Sequence, residues 1–147
     1  MLKAKNPRIV LDPYIWMPGY GESSVKYHFD GGKLILSLSY DTDEELTTKN
    51  IIFQHVVWFS HATFPSPSPN NIEYIDSGEL ISGSLIEFQS SEAVLPINKH
   101  FKHWKFKHYS WVFLSENIRF DIICESFSIQ EIQGELHTFK YYYFSYT

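Results

Sequence analysis

Two runs of aromatic and β-branched residues flank a short polar break. The first extends from His100 to Leu114 and the second from Ile118 to Ile129, with Ser115, Glu116 and Asn117 between them. This composition around such a break signals a β-hairpin. Setting Leu114 against Ile118 pairs Val112 with Phe120, Ser110 with Ile122 and His108 with Cys124. It also places Lys107 across from Glu125 on the other face. A one-residue slip sets apolar positions against charged ones, so this register is the expected one.

A second hairpin is marked over Ser24 to Tyr40. Val25, Tyr27 and Phe29 alternate with polar residues, and Leu34, Leu36, Leu38 and Tyr40 do the same beyond Gly31-Gly32. A two-residue Gly-Gly loop suits a primed turn, whose positive φ angles glycine adopts without a Cβ clash. The implied pairs are Phe29 with Leu34, Tyr27 with Leu36 and Val25 with Leu38. Ser24, Lys26, Ser37 and Ser39 then face water.

Ile51 to Phe64 is apolar on both sides of an extended chain, as expected of one central strand covered on both faces. Residues 77–92 are expected to be helical: Ile81, Leu85 and Phe88 follow i, i+4, i+7 spacing. Asp76 or Ser77 would cap that helix, Gly83 weakens it by about 1 kcal/mol, and Pro96 ends whatever precedes it. Leu136 to Tyr146 favours a strand, and Arg8 to Leu11 adds another. The fold class is α+β: a mainly antiparallel, curved sheet of six to seven strands with one helix. A closed β-barrel is the alternative. With 147 residues and no composition break beyond Pro65–Asn71, a single domain over 1–147 is expected.

The single cysteine, Cys124, excludes an internal disulfide or a multi-cysteine zinc site. Ile9-Val10-Leu11 is too short for a signal-peptide core, and the 51–64 run is too short and polar to span a bilayer. A cytoplasmic protein without membrane partners is expected. The net charge of −5 disfavours general nucleic-acid binding. Lys99, Lys102, Lys105 and Lys107 nevertheless form a local basic run among aromatics, the pattern that stacks single-stranded bases when exposed.

Chemistry is sparse. His100 and His108 would lie about 26 Å apart on one strand at ~3.3 Å per residue, too far to share an ion, so no metal and no cofactor are expected. The expected register makes His108 and Cys124 neighbours, a thiolate–imidazole pair in principle. Both are better read as core, because cysteine is among the most buried residue types. The acids Asp41, Asp43, Glu44 and Glu45 read as a solvated turn. Neither a phosphate loop nor a Gly-x-Ser-x-Gly motif is present.

Gly83-Ser-Leu-Ile-Glu-Phe88 with Ser91, then Lys107-His-Tyr109, then Phe120 to Phe127 ending in Cys-Glu-Ser-Phe, resemble small single-domain bacterial proteins of unassigned activity. Some of these are of the immunity type that neutralises secreted toxins. The resemblance covers about residues 80–129 and implies a cytosolic role without catalysis. The expected function is thus a small protein-binding module, immunity-like or homodimeric, with Tyr14, Trp16, Tyr20, Tyr141 and Tyr143 as aromatic anchors and Lys102 and Lys105 in a charged rim. The alternative is a β-rich cup for a small molecule.

Overall fold

The computed structural model describes residues 1–12, 15, 24–41, 46–63, 72–75, 83–113, 115–135 and 138–146. In chain order its strands are β1 (Leu2–Leu11), β2 (Ser24–Asp30), β3 (Lys33–Asp41), β4 (Leu46–Gln54), β5 (Trp58–Thr63), β6 (Ile72–Tyr74), β7 (Leu85–Ser91), β8 (Lys107–Phe113), β9 (Ile118–Cys124), β10 (Ser126–Glu135) and β11 (Thr138–Tyr146). A short helix, α1 (Leu95–His100), lies between β7 and β8. The strands form a curled six-stranded sheet, ordered β5-β9-β8-β7-β1-β6, and a five-stranded sheet, ordered β11-β10-β4-β3-β2. Each sheet ends in edge strands, so the closed-barrel alternative is overturned. β1 and β6 are parallel, which makes the larger sheet mixed rather than purely antiparallel.

The hairpin over Ser24 to Tyr40 forms in the expected register, with Phe29 against Leu34, Tyr27 against Leu36 and Val25 against Leu38. Gly31 and Gly32 carry φ angles of 57° and 83°, the left-handed values that the turn requires. Leu34, Leu36 and Leu38 are fully buried on the inner face. On the other face Ser37 donates to Asn50 at 2.7 Å, and Asn50 donates to Gln130 at 3.2 Å, linking β3, β4 and β10 by side chains.

The expected single strand over Ile51 to Phe64 is two strands where it is described, over residues 51–63. His55 takes a φ of 53° after Gln54, and the chain leaves the five-stranded sheet as β4 and enters the six-stranded sheet as β5. Cys124, Glu125 and Ser126 make the matching passage from β9 to β10. β4 pairs with β10, and β5 with β9, so one long bent ribbon runs through both sheets. Backbone bonds bind its corner: Val57 N–H to Ile123 O at 3.0 Å, Glu125 N–H to Gln54 O at 3.1 Å and Val56 N–H to Gly32 O at 2.7 Å. Neither bend carries a glycine or proline, so a count of six to seven strands falls short.

The expected helix over 77–92 is contradicted where it is described, since Leu85–Ser91 is β7. Leu85, Ile86, Glu87 and Phe88 are all buried, because β7 sits between β1 and β8 with both faces covered. Such a strand is apolar at consecutive positions, and spacing of i, i+4, i+7 then arises by coincidence. Residues 76–82 lie outside the described residues. Pro96 does not end a helix but occupies the first turn of α1, where its missing N–H costs nothing.

The β8–β9 register also differs by one residue from expectation. Asn117 takes a φ of 50°, and the strands meet as Phe113 with Ile118, Trp111 with Phe120, Tyr109 with Ile122 and Lys107 with Cys124, while Leu114 lies outside the described residues. His108 stands opposite Ile123, and Glu125 is not across from Lys107. Tyr109, Trp111, Phe113, Phe120, Ile122 and Cys124 thereby join Leu36, Ile51, Phe53, Phe127 and Ile129 in one core between the sheets. Phe53 and Phe127 reach Tyr109 across it at ring distances of 6.0 and 5.4 Å. Each fully buried side chain of this size contributes about 1.5–3 kcal/mol.

Candidate functional site

The one-residue difference in register sends His108, Ser110, Arg119, Asp121 and Ile123 to the outer face of the six-stranded sheet. Two apolar clusters cover that face. Ala4, Ile72, Ile86 and Phe88 form one, and Val94, Phe106 and Ile123 the other, with Trp58 packed against both. A buried polar network occupies this face. Ser91 Oγ, at the end of β7, lies 2.8 Å from His108 Nδ1, and His108 Nε2 lies 2.8 Å from Asp121 Oδ1. Tyr74, from β6, donates its hydroxyl to Asp121 Oδ2 at 2.5 Å. Arg119 lies 3.7 Å from the same oxygen, donates to Ser110 Oγ at 2.9 Å and spreads its guanidinium over the Tyr74 ring at 3.3 Å. His108 is fully buried, and Ser91 and Asp121 are buried beside it.

This arrangement selects a tautomer. As a carboxylate, Asp121 has no proton to give, so it accepts from His108 Nε2–H. In the neutral imidazole the lone pair then sits on Nδ1, directed at the Ser91 hydroxyl. Ser91 and His108 also line a pocket of about 210 Å³ beside α1, together with Phe88, Val94, Leu95, Asn98 and Phe106. The pocket lies outside the two sheets, whose interior is occupied by Trp111, Tyr109, Phe53 and Phe127.

A second feature adjoins this pocket. Leu95, Phe101 and Trp104 are 65%, 42% and 40% exposed. Phe101 and Trp104 both rest on the buried Phe106, at ring distances of 5.5 and 6.0 Å. Asn98 fixes the returning chain by accepting from Phe106 N–H at 2.7 Å and donating to Phe106 O at 3.1 Å. His55 packs on Trp104 at 4.3 Å and engages Glu125 through Nδ1. Lys99, Lys102 and Lys105 are exposed around these rings.

Lys102 and Lys105 are exposed in the segment that carries Phe101 and Trp104. Tyr141 and Tyr143 lie on β11, in register with Ile132 and Gln130 of β10. Tyr14, Trp16 and Tyr20 lie outside the described residues. Trp104 is half-exposed rather than core, whereas Phe106, His108 and Cys124 are buried. His108 and Cys124 sit on opposite faces of the sheet, which removes the thiolate–imidazole pair. Burial pushes the Cys124 thiol far above its ordinary range, and Lys107 only partly offsets it. Among the described residues, no three His, Cys, Asp or Glu side chains converge as a metal site. Tyr74 and Arg119 were not singled out from the sequence, and Ser91 and Asp121 entered only among the residues that carry the resemblance, without a role. The available signal was a carboxylate and a serine, Asp121 and Ser110, at interior positions of apolar strands.

No family model, curated protein or solved structure matches the chain. Among the described residues no helix is long and apolar enough to cross a membrane.

Proposed function

We propose that the protein is a protein-binding module that docks an acidic partner surface on the face formed by Leu95, Phe101 and Trp104. One observation carries this reading. Two aromatic rings are left half in solvent, yet they are held in place by Phe106 beneath them and by the Asn98 clamp. Rigid exposed aromatics cost little conformational entropy on binding and serve as interface anchors. Lys99, Lys102 and Lys105 form the rim, and their charge selects an acidic counterpart although the chain as a whole carries −5. A toxin-neutralising role, the class that the resemblance over 80–129 implies, would use this face to cover a partner's working surface. A homodimer uses it differently, because an isologous contact brings the lysines of both copies together.

The test is co-purification from the protein's own cells, comparing wild type with Trp104→Ala and with the double variant Lys102→Glu/Lys105→Glu. Loss of the same acidic protein from both variants supports the reading. Retention of every partner by both, with the fold intact, overturns it.

Small-molecule binding is the second reading, favoured by the 210 Å³ pocket beside α1. Its occupant would lie on the outer face rather than in a cup between the sheets.

A further inference from the structure

Beyond binding, we infer that Ser91 is a nucleophile activated by His108 and oriented through Asp121, and that it takes small, neutral, activated acyl donors from the pocket beside α1.

Three observations converge on this. The Ser91 hydroxyl meets His108 Nδ1 at 2.8 Å, within the reach a general base needs. His108 Nε2 is held by Asp121 at 2.8 Å, and Asp121 is itself held by Tyr74, so the imidazole is fixed with its basic nitrogen toward the serine. Ser91 and His108 border a pocket beside α1, with Ser91 nearly buried and the imidazole fully buried behind it, shielded from water. The usual roles of the two ring nitrogens are exchanged, which proton transfer permits because either can act as base.

The chemistry balances without a cofactor. Ser91 Oγ attacks the acyl carbonyl as its proton passes to His108 Nδ1. The carbon–oxygen bond to the leaving alkoxide breaks, and the alkoxide leaves as an alcohol with that proton. Water then attacks the acyl-serine, giving up a proton through His108 and returning the Ser91 hydroxyl and a carboxylic acid.

The surroundings narrow the donor. Phe88, Val94 and Phe106 supply apolar walls for a short acyl chain, and the opposite charges of Glu92 and Lys107 in the lining favour a neutral one. Two amides that follow Ser91 are already engaged: Glu92 N–H bonds Lys3 O at 2.9 Å, and Val94 N–H bonds Ser91 O at 3.2 Å. An oxyanion therefore gains little from them, and the site acylates with activated esters rather than turning over amides.

The experiment exposes folded wild-type protein to an alkyl fluorophosphonate, in which Ser91 Oγ bonds to phosphorus, fluoride leaves and the proton goes to His108. Intact mass and peptide mapping read the adduct. One equivalent on Ser91 is expected, absent from heat-unfolded protein and from Ser91→Ala. His108→Gln should slow labelling at least a hundredfold while the circular-dichroism spectrum holds. A p-nitrophenyl acetate burst of about one equivalent, measured on wild type alone, covers the case in which His108→Gln fails to fold. No adduct and no burst on wild type, adducts scattered over other hydroxyls, or unchanged labelling of a folded His108→Gln variant would overturn the assignment.

Discussion

Tyr74 donates its hydroxyl to Oδ2 of Asp121 at 2.5 Å while Arg119 lies against the same Tyr74 ring, so one buried carboxylate gathers hydrogen-bond donors from two other strands, through Tyr74 and His108. Asp121→Ala leaves the His108 Nε2–H and the Tyr74 hydroxyl without their acceptor in a dry setting. Breaking a buried pair on one side costs roughly 3–5 kcal/mol. Urea unfolding should show a lowered midpoint with an unchanged slope.

Cys124 should resist thiol reagents in the folded protein and react within seconds in denaturant. Its thiol and the Tyr109 phenol are both raised by burial above their ordinary values of 9.0 and 10.0. The fold holds each group protonated, while the unfolded chain releases the proton as pH rises past those values. Stability is therefore full below about pH 9 and falls above it, by ~1.4 kcal/mol per pH unit for each group. Cys124→Ala should make the decline shallower between pH 9 and 10, measured by denaturant titration at several alkaline pH values.

Gly32 sits at a φ of 83° with nothing within 4 Å of an added Cβ. Gly32→Ala therefore meets only backbone strain, about 1–2 kcal/mol, with no packing term. A larger loss in thermal unfolding would show that the turn does more than set the register of β2 and β3.

Asn98→Ala removes both bonds to the Phe106 backbone and frees the segment that carries Phe101 and Trp104. A buried amide left without its acceptor costs about 1–3 kcal/mol. Trp104 fluorescence should shift red, and amide exchange should rise over residues 101–106 before it rises in β8.

Where a local rule decides structure, the sequence was readable. Gly31-Gly32 admits a single tight turn, so every pair of the β2–β3 hairpin followed from alternation. The hairpin over residues 100–129 lacked such a marker. Pairing Phe113 rather than Leu114 with Ile118 shifted the register by one and carried His108 from beside Cys124 to the face of Asp121. The site depends on that shift and on Ser91 and Tyr74, which lie on strands distant in the chain. No local spacing brings such residues together. The bends at His55 and Glu125 were equally silent, because tertiary hydrogen bonds, rather than glycine or proline, hold them.

The bent ribbon has a kinetic consequence. Gln54 and Ser126 must find each other across about half of the chain before either layer is complete. The entropy of closing so long a loop is spent before the contacts that reward it have formed. Refolding should take milliseconds to seconds, as for other β-rich topologies of high contact order, rather than microseconds.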